Sequence, residues 1–136
     1  MAIQGGREIT SAQQISDGII TKAKTETAIN DNIPLAWVSF IGTGTPTIED
    51  DFNVSSITDN GTGDYTVVYT SGLPNDDYCC VGMSMRDSDN ISALCMKGDA
   101  NPASYKRTES VRLSNRDNAN SSVDAANVSI AWFSTS

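Results

Sequence analysis

Three short apolar runs between residues 36 and 69 constrain what this chain can fold into. The runs are Ala36–Ile41, 48–54 and 65–69, and the polar phrases GTGTP and DNGTGD separate them. Apolar runs this short, bounded by Gly, Pro, Asn and Asp, are typical of antiparallel strands joined by turns. Alternate residues within the runs are apolar and polar, which suits a sheet with one buried and one wet face. The stretch therefore predicts the first three strands of an antiparallel meander.

The predicted domain begins after a boundary at Pro34, and the chain beyond residue 69 continues the same pattern of short strands. Four further strands are predicted, at 78–85, 91–96, 110–114 and 128–133, with a long polar loop at 115–126. The strand 91–96 is apolar on both faces, which favours a central position in its sheet. About seven short strands with turns between them predict an all-β fold, an antiparallel β-sandwich knob over residues 36–136. The predicted aromatic core consists of Trp37, Phe40, Phe52, Trp132 and Phe133.

Composition and charge exclude several classes of function. The 136 residues carry a formal net charge of −8, whereas nucleic-acid binding requires clustered Lys and Arg for the phosphates. No apolar run approaches the roughly 20 residues that span a bilayer, and the first residues lack an apolar signal core. We therefore expect neither nucleic-acid binding nor membrane insertion.

The three cysteines, Cys79, Cys80 and Cys95, lack the spacing of a metal site. Free cysteines are usually buried, so all three are predicted to be buried thiols. Synthesis in a reducing cytoplasm follows from that prediction.

Catalytic chemistry has few candidate groups in this sequence. The chain contains no histidine, which removes the Ser-His-Asp and Cys-His arrangements and the usual zinc sites. The carboxylates fall in turns or on the wet faces of strands, where solvation is their ordinary state. The phrases DNGTGD, RDSDN and NRDN offer oxygen ligands, but clustered Asp and Asn serve turn geometry first. We expect no enzymatic activity, no cofactor and no metal site, and leave open whether an acidic loop holds an ion.

Residues 1–34 differ from the remainder, because isolated apolar residues stand in a polar background. Such a segment buries too little apolar surface to fold alone, and it is predicted to be extended or partly helical. One interpretation is a disordered tail. The other is a virion-attachment and trimerisation segment that packs beside copies of itself through Ile3, Ile9, Ile15, Ile19 and Ile20.

The central stretch of the chain resembles a known group of proteins. The residues concerned are the aromatic strand Trp37 to Phe40, the phrase FNVSSITDNGTGDYTV from Phe52 to Val67, and LPNDDYCCVG from Leu73 to Gly82. Together they resemble a stretch found in virion proteins of tailed bacteriophages, chiefly fibre and tail-fibre tips. The resemblance covers about residues 36–85 and implies a virion protein, made in the cytoplasm of a bacterial host.

Two functions fit the resemblance. The first is a short homotrimeric tail or head fibre that attaches to other virion proteins through residues 1–34 and binds a host-surface glycan or protein with its knob. Aromatic and charged residues at loop tips are suited to such binding, and the predicted receptor-binding residues are Arg86, Asp89, Tyr105, Arg107, Arg116 and Asp117. The alternative is a capsid or tail decoration or adaptor protein that binds only other virion proteins.

Overall fold

A computed structural model describes residues 33–87, 92–97 and 106–134 of the chain. The described residues belong to one of the two units into which the chain divides, Ile33–Ser136. The predicted attachment segment 1–34 lies outside them except for its last two residues. The strands are β1 Ala36–Ile41, β2 Thr47–Phe52, β3 Val54–Asp59, β4 Asp64–Tyr69, β5 Cys79–Met85, β6 Ser92–Met96, β7 Ser110–Asp117 and β8 Asn127–Phe133.

The eight strands form two four-stranded antiparallel sheets. Sheet I has the order β2-β1-β8-β5, and sheet II has the order β3-β4-β7-β6. The two sheets share one hydrophobic core, so the architecture is a β-sandwich, and no helix occurs in the described residues. The predicted all-β sandwich is confirmed, with eight strands where about seven were expected.

Most of the core comes from the inward residues of the four inner strands, and Val54, Leu73, Tyr78 and Ala125 complete it. Alternate residues of β1, β4 and β8 are buried while their neighbours are partly or fully exposed, as a pleated strand requires, and β7 does the same up to Leu113. The rings pack edge to face, with centroids 5.3 Å apart for Phe40 and Tyr65 and 5.4 Å apart for Tyr69 and Trp132. The largest fully buried side chains include Trp132, Tyr65, Tyr78, Phe40, Leu113, Val38, Val67, Val111 and Val128.

Asn53 breaks the run 48–54, which the sequence predicted to be one strand. Its φ of 59° lies in the left-handed region, which Asn tolerates better than most residues. The chain leaves sheet I at Phe52 and enters sheet II at Val54, so the predicted meander is instead two hairpins, one in each sheet. Phe52 is 52% exposed and does not belong to the core, because the register irregularity within β2 turns it to the outer face beside Trp37, whereas Ile48 lies beside the inward Phe40. The turn at Asn53 then brings Val54 inward, where it is buried.

The Asn53 side chain also fixes this crossing between the sheets. Its amide nitrogen donates to the carbonyls of Leu35 and Ser71, each at 3.0 Å, and its amide oxygen accepts from the backbone N–H of Ser71 at 2.8 Å. The start of β1 and the turn after β4 are therefore held to the same residue.

Tyr65 fixes the opposite end of the sandwich. Its buried hydroxyl donates to the carbonyl of Gly42 at 2.9 Å and accepts from the backbone N–H of Ala125 at 3.2 Å. Burial raises the pKa of Tyr65 to about 12, so the hydroxyl remains a donor at neutral pH. A Cβ on Gly42 would lie 2.6 Å from the hydroxyl oxygen, so the loop after β1 approaches the ring only because residue 42 is glycine.

Several other sequence predictions are wrong in detail. Strand β6 lies at an edge of sheet II and is not central. Strand β7 continues to Asp117, three residues into the predicted loop 115–126. Trp37 and Phe133 are half-buried on the outward face of sheet I, whereas Phe40 and Trp132 are in the core as predicted.

The thiols also differ from expectation. Cys79 and Cys95 are exposed because they occupy outward positions of the edge strands β5 and β6. Cys80 is half-buried. The prediction of three buried thiols is therefore wrong.

We expect Tyr65→Phe to lower the free energy of unfolding by about 1–3 kcal/mol, because Gly42 and Ala125 lose a buried hydrogen-bond partner. Urea unfolding at pH 7 followed by circular dichroism measures this. Thr58→Ala, which removes an exposed hydroxyl from β3, is the control. Equal losses in the two variants would contradict the assigned role of Tyr65.

Candidate binding face

Strand β5 directs its small residues inward and its large apolar residues outward. The inward positions are Cys80, Gly82 and Ser84, and a Cβ on Gly82 would lie 2.7 Å from Cβ of Ile130. The neighbouring strand β8 thus leaves no room for a larger residue there. The outward positions, Cys79, Val81, Met83 and Met85, are named here the β5 strip. Val81, Met83 and Met85 are 57%, 73% and 60% exposed.

An apolar row crosses the outer face of sheet I from edge to edge. The strand registers place Val81 beside Ala131, Ala131 beside Trp37, and Trp37 beside Phe52. Five of the seven large hydrophobic residues found exposed in the described part of the chain belong to strands of sheet I. Scattered apolar residues are normal on protein surfaces, but a contiguous patch marks a site of interaction.

A polar network lies beside this row. Asn127 donates to Oε2 of Glu49 at 2.7 Å, and Ser39 donates to the same oxygen at 3.1 Å. Ser129 donates to the amide oxygen of Asn127 at 3.1 Å. The network is possible because an irregularity in the β1–β2 register, between Ser39 and Phe40, moves Glu49 opposite these side chains.

Small residues on β8 make the outer face of sheet I concave. Ser129 and Ala131 lie between Trp37 of β1 and Val81 of β5, and the resulting groove measures about 450 Å³. It is shallow and wide, with an apolar wall on each side. Such a surface can bind a partner by packing and by hydrogen bonds, but it does not enclose a small molecule.

The outer face of sheet II is polar, in contrast. Asp64 accepts from Nε of Arg112 at 2.7 Å and forms an ion pair with Lys97 as well. Burial opposes ionisation of Asp64, but the hydrogen bonds and charges of Arg112 and Lys97 outweigh it and lower the pKa of that carboxyl. These charged groups are paired with one another, so the apolar face of sheet I is the stronger candidate for binding.

Of the six predicted receptor-binding residues, the structure describes Arg86, Arg107, Arg116 and Asp117. Asp89 and Tyr105 fall outside the described residues. Arg116 and Asp117 end β7, where Arg116 donates to the carbonyl of Asn120 at 2.8 Å and Asp117 accepts from the backbone N–H groups of residues 119 and 121. Their side chains therefore shape the following loop.

The remaining two predicted residues are in different settings. Arg107 is exposed, and its backbone N–H donates to the carbonyl of Ser110 at 2.9 Å. Arg86 is half-buried directly after β5, which places it next to the β5 strip along the chain.

Sequence reasoning did not identify the binding face, because the apolar set of alternate residues on a strand is ordinarily the inward set. The alternation of 79–85 showed which residues share a face. The small size of Cys80, Gly82 and Ser84 was the signal that these residues, and not the β5 strip, face inward. It could be interpreted only with Ile130 and Trp132 known to occupy the neighbouring space.

The described residues include no cluster of three or more His, Cys, Asp or Glu side chains that could hold a metal ion. In the same residues no helix is long and apolar enough to cross a membrane.

Comparison with known proteins gives a likeness of fold. No protein-family model matches the chain, and no curated protein does. The fold is similar to part of the phiAB6 tailspike, whose crystal structure is a complex with three-repeated oligosaccharides of Acinetobacter baumannii surface polysaccharide. The likeness covers 76% of this chain but only 20% of the tailspike, with 19% identity and a TM-score of 0.50.

We expect Asp64→Asn to lower the free energy of unfolding at pH 6 by about 1 kcal/mol, because the partly exposed ion pairs are lost. The folded carboxyl has a pKa below its ordinary value of 3.8, so its stabilisation is complete above that pH and is lost as the pH falls below it. The difference between wild type and variant, measured by urea unfolding, should therefore shrink below pH 3.8. Asp76→Asn, at an exposed position, is the control. A difference that persists unchanged at pH 2.5 would contradict the ion pairs.

Proposed function

We propose that this chain is a non-enzymatic structural protein of a tailed-phage virion, a short homotrimeric fibre whose β-sandwich knob binds a host-surface glycan or protein. The observation that carries the proposal is the phrase from Phe52 to Val67, which resembles phage fibre proteins and which the structure places across the Asn53 crossing into the hairpin β3–β4. The likeness of the sandwich to part of a phage tailspike supports the same class of protein.

The physical character of the domain supports assembly into a trimer. A sandwich of about 100 residues has a modest core, and further copies can bury apolar surface that it leaves exposed. The outer face of sheet I supplies such surface. Residues 1–34 are assigned to attachment on other virion proteins, as the isolated isoleucines suggested.

Binding of a glycan or protein on the host surface is the proposed role of the knob. The phiAB6 tailspike was crystallised with oligosaccharides of a bacterial surface polysaccharide, and this supports a glycan as the first receptor class to test. Arg107 is exposed, and a guanidinium group donates hydrogen bonds to sugar hydroxyls and carboxylates.

A non-enzymatic role is proposed because the chain contains no histidine and because two of its carboxylates, Glu49 and Asp64, are engaged by structural partners. Glu49 is hydrogen-bonded to Ser39 and Asn127, and Asp64 is ion-paired with Arg112 and Lys97. Both groups are occupied by structural partners.

We expect the full-length protein to have the mass of a trimer by light scattering. The matched variant begins at Ile33, since Leu35 donates to the carbonyl of Trp132 and accepts from Asn53 and should be retained. A trimer that dissociates on removal of residues 1–32 assigns assembly to that segment, whereas a trimer that persists assigns it to the knob. Monomers in both cases would contradict the fibre and favour a decoration or adaptor protein.

We expect Arg107→Ala to weaken binding to bacterial cell-surface polysaccharide by about tenfold, because a charge-assisted hydrogen bond to the ligand is lost. Glycan arrays and binding to host cells measure this with the full-length protein. Thr58→Ala, an exposed change on sheet II, is the control. Unchanged binding by the Arg107 variant would remove its loop from the receptor site.

A further inference from the structure

We propose that Asn60 is a latent deamidation site, which the folded turn between β3 and β4 protects until that turn opens. The inference concerns a covalent modification and does not depend on the proposed function. The sequence contains a single Asn-Gly pair, Asn60–Gly61, and both residues are exposed at the tip of the hairpin. Glycine has no Cβ to hinder the approach of its backbone nitrogen, so asparagine deamidates fastest when glycine follows it.

Deamidation of this pair joins two groups of adjacent residues. The backbone nitrogen of Gly61 loses its proton to solvent base and bonds to Cγ of Asn60. The bond from Cγ to Nδ2 then breaks, and Nδ2 leaves as ammonia after taking up a proton from solvent. Water opens the resulting cyclic imide at either carbonyl carbon, which leaves aspartate or isoaspartate at position 60. One water is consumed and one ammonia is released, with no oxidation or reduction.

The first protecting feature is that the Asn60 amide is bound on β4. Its Nδ2 donates to Oγ1 of Thr66 at 2.9 Å and to Oδ1 of Asp64 at 3.4 Å. Both partners occupy outward positions of β4, because the buried Tyr65 lies between them in the strand. Asp64 is itself held by Nε of Arg112. The group that must leave is therefore fixed on the outer face of sheet II.

The second protecting feature concerns the attacking nitrogen. The backbone N–H of Gly61 donates to Oδ1 of Asp59 at 2.8 Å. Asp59 pairs with the inward Tyr65, so the register places it on the opposite face of the hairpin from Thr66. A carboxylate is too weak a base to remove an amide proton, so this hydrogen bond orients the N–H without activating it. The two reacting groups are thus held by partners on opposite faces of the hairpin.

The backbone of the turn is fixed as well. The N–H of Asn60 donates to the carbonyl of Asp64 at 2.8 Å, and the N–H of Asp64 donates to the carbonyl of Gly61 at 2.9 Å. Gly61 has a φ of 121°, a conformation that favours glycine. Bringing the Gly61 nitrogen onto Cγ of Asn60 requires rotations that break these contacts. The reaction therefore proceeds from an opened turn.

Conversion would alter the ion pairs on the outer face of sheet II. A carboxylate at position 60 stands where the amide now donates to Asp64, so two like charges meet beside Arg112 and Lys97. Isoaspartate also adds a methylene to the main chain of a turn that two backbone hydrogen bonds close. Both products weaken the tip of the hairpin.

The test is the rate of conversion at Asn60 in the full-length protein at pH 8 and 37 °C, followed by peptide mass spectrometry. We expect the native protein to convert at least about tenfold more slowly than the protein unfolded in urea, because hydrogen bonds of the turn must break first. Gly61→Ala, compared with the wild type in urea, identifies the reaction. A Cβ at position 61 hinders the nitrogen, so conversion at Asn60 should slow strongly in that variant.

Thr66→Val tests the protecting contact in the native protein. Valine keeps the size and branching of threonine but removes Oγ1, so native conversion at Asn60 should rise about fivefold to tenfold. Thr58→Val is the matched control, since Thr58 pairs with Thr66 in the sheet and its replacement leaves the Thr66 hydroxyl in place. Thermal unfolding shows whether each variant remains folded at 37 °C.

The outcomes decide the inference in parts. Equal rates in the native protein and in urea overturn the protection by the turn. Equal native rates in Thr66→Val and the wild type overturn Thr66 as the protecting residue. Conversion of another asparagine ahead of Asn60 in urea overturns the site itself. A slow native rate that rises in urea and in Thr66→Val, but not in Thr58→Val, supports all three.

Discussion

The buried hydroxyl of Tyr65 determines how one end of the sandwich closes. The ring lies in the core against Phe40, so the phenol oxygen is buried and needs hydrogen-bond partners. Those partners come from the loop after β1 and the loop before β8. Strands β1 and β8 belong to sheet I, whereas Tyr65 belongs to β4 of sheet II. One side chain therefore joins the sheets by apolar packing and by hydrogen bonds. Asn53 has the corresponding role at the crossing from β2 to β3, where its amide group replaces ladder hydrogen bonds that a turn cannot form.

The strands that could be predicted from the sequence are those with one apolar and one polar face. In β4 the alternation of Tyr65, Val67 and Tyr69 with polar or half-buried neighbours identifies both the strand and its buried side. The crossing at Asn53 could not be predicted in this way, because period-2 alternation runs through residue 53 without a visible break. The register irregularity within β2 and the left-handed backbone at Asn53 each reverse the phase, and Asn was a weak sign of the second. The edge position of β6 depends on its pairing with β7 alone, which is not encoded within the strand itself.

The candidate site was less predictable than the fold, since it depends on which of two faces of β5 is turned inward. Hydrophobicity favoured the strip as the inward set, but steric exclusion by Ile130 requires the smaller set there. Exclusion of this kind involves residues nearly 50 positions apart, and a local pattern does not record it. The polar network around Glu49 has the same origin, because Ser39, Glu49 and Asn127 come from three strands and meet only in the folded sheet. The loop residues predicted for receptor binding were chosen by type, and type does not distinguish Arg116, which is engaged within its own loop, from a residue available to a ligand.

The small inward side of β5 has an evolutionary consequence. Because the close approach of Ile130 restricts the inward side of β5 at Gly82, the outward positions of the same strand are free of that restriction. Substitutions at Val81, Met83 or Met85 change the surface while the interior is conserved. Selection can therefore act on these positions separately from selection for folding, and related proteins can diverge in what they contact without a new architecture.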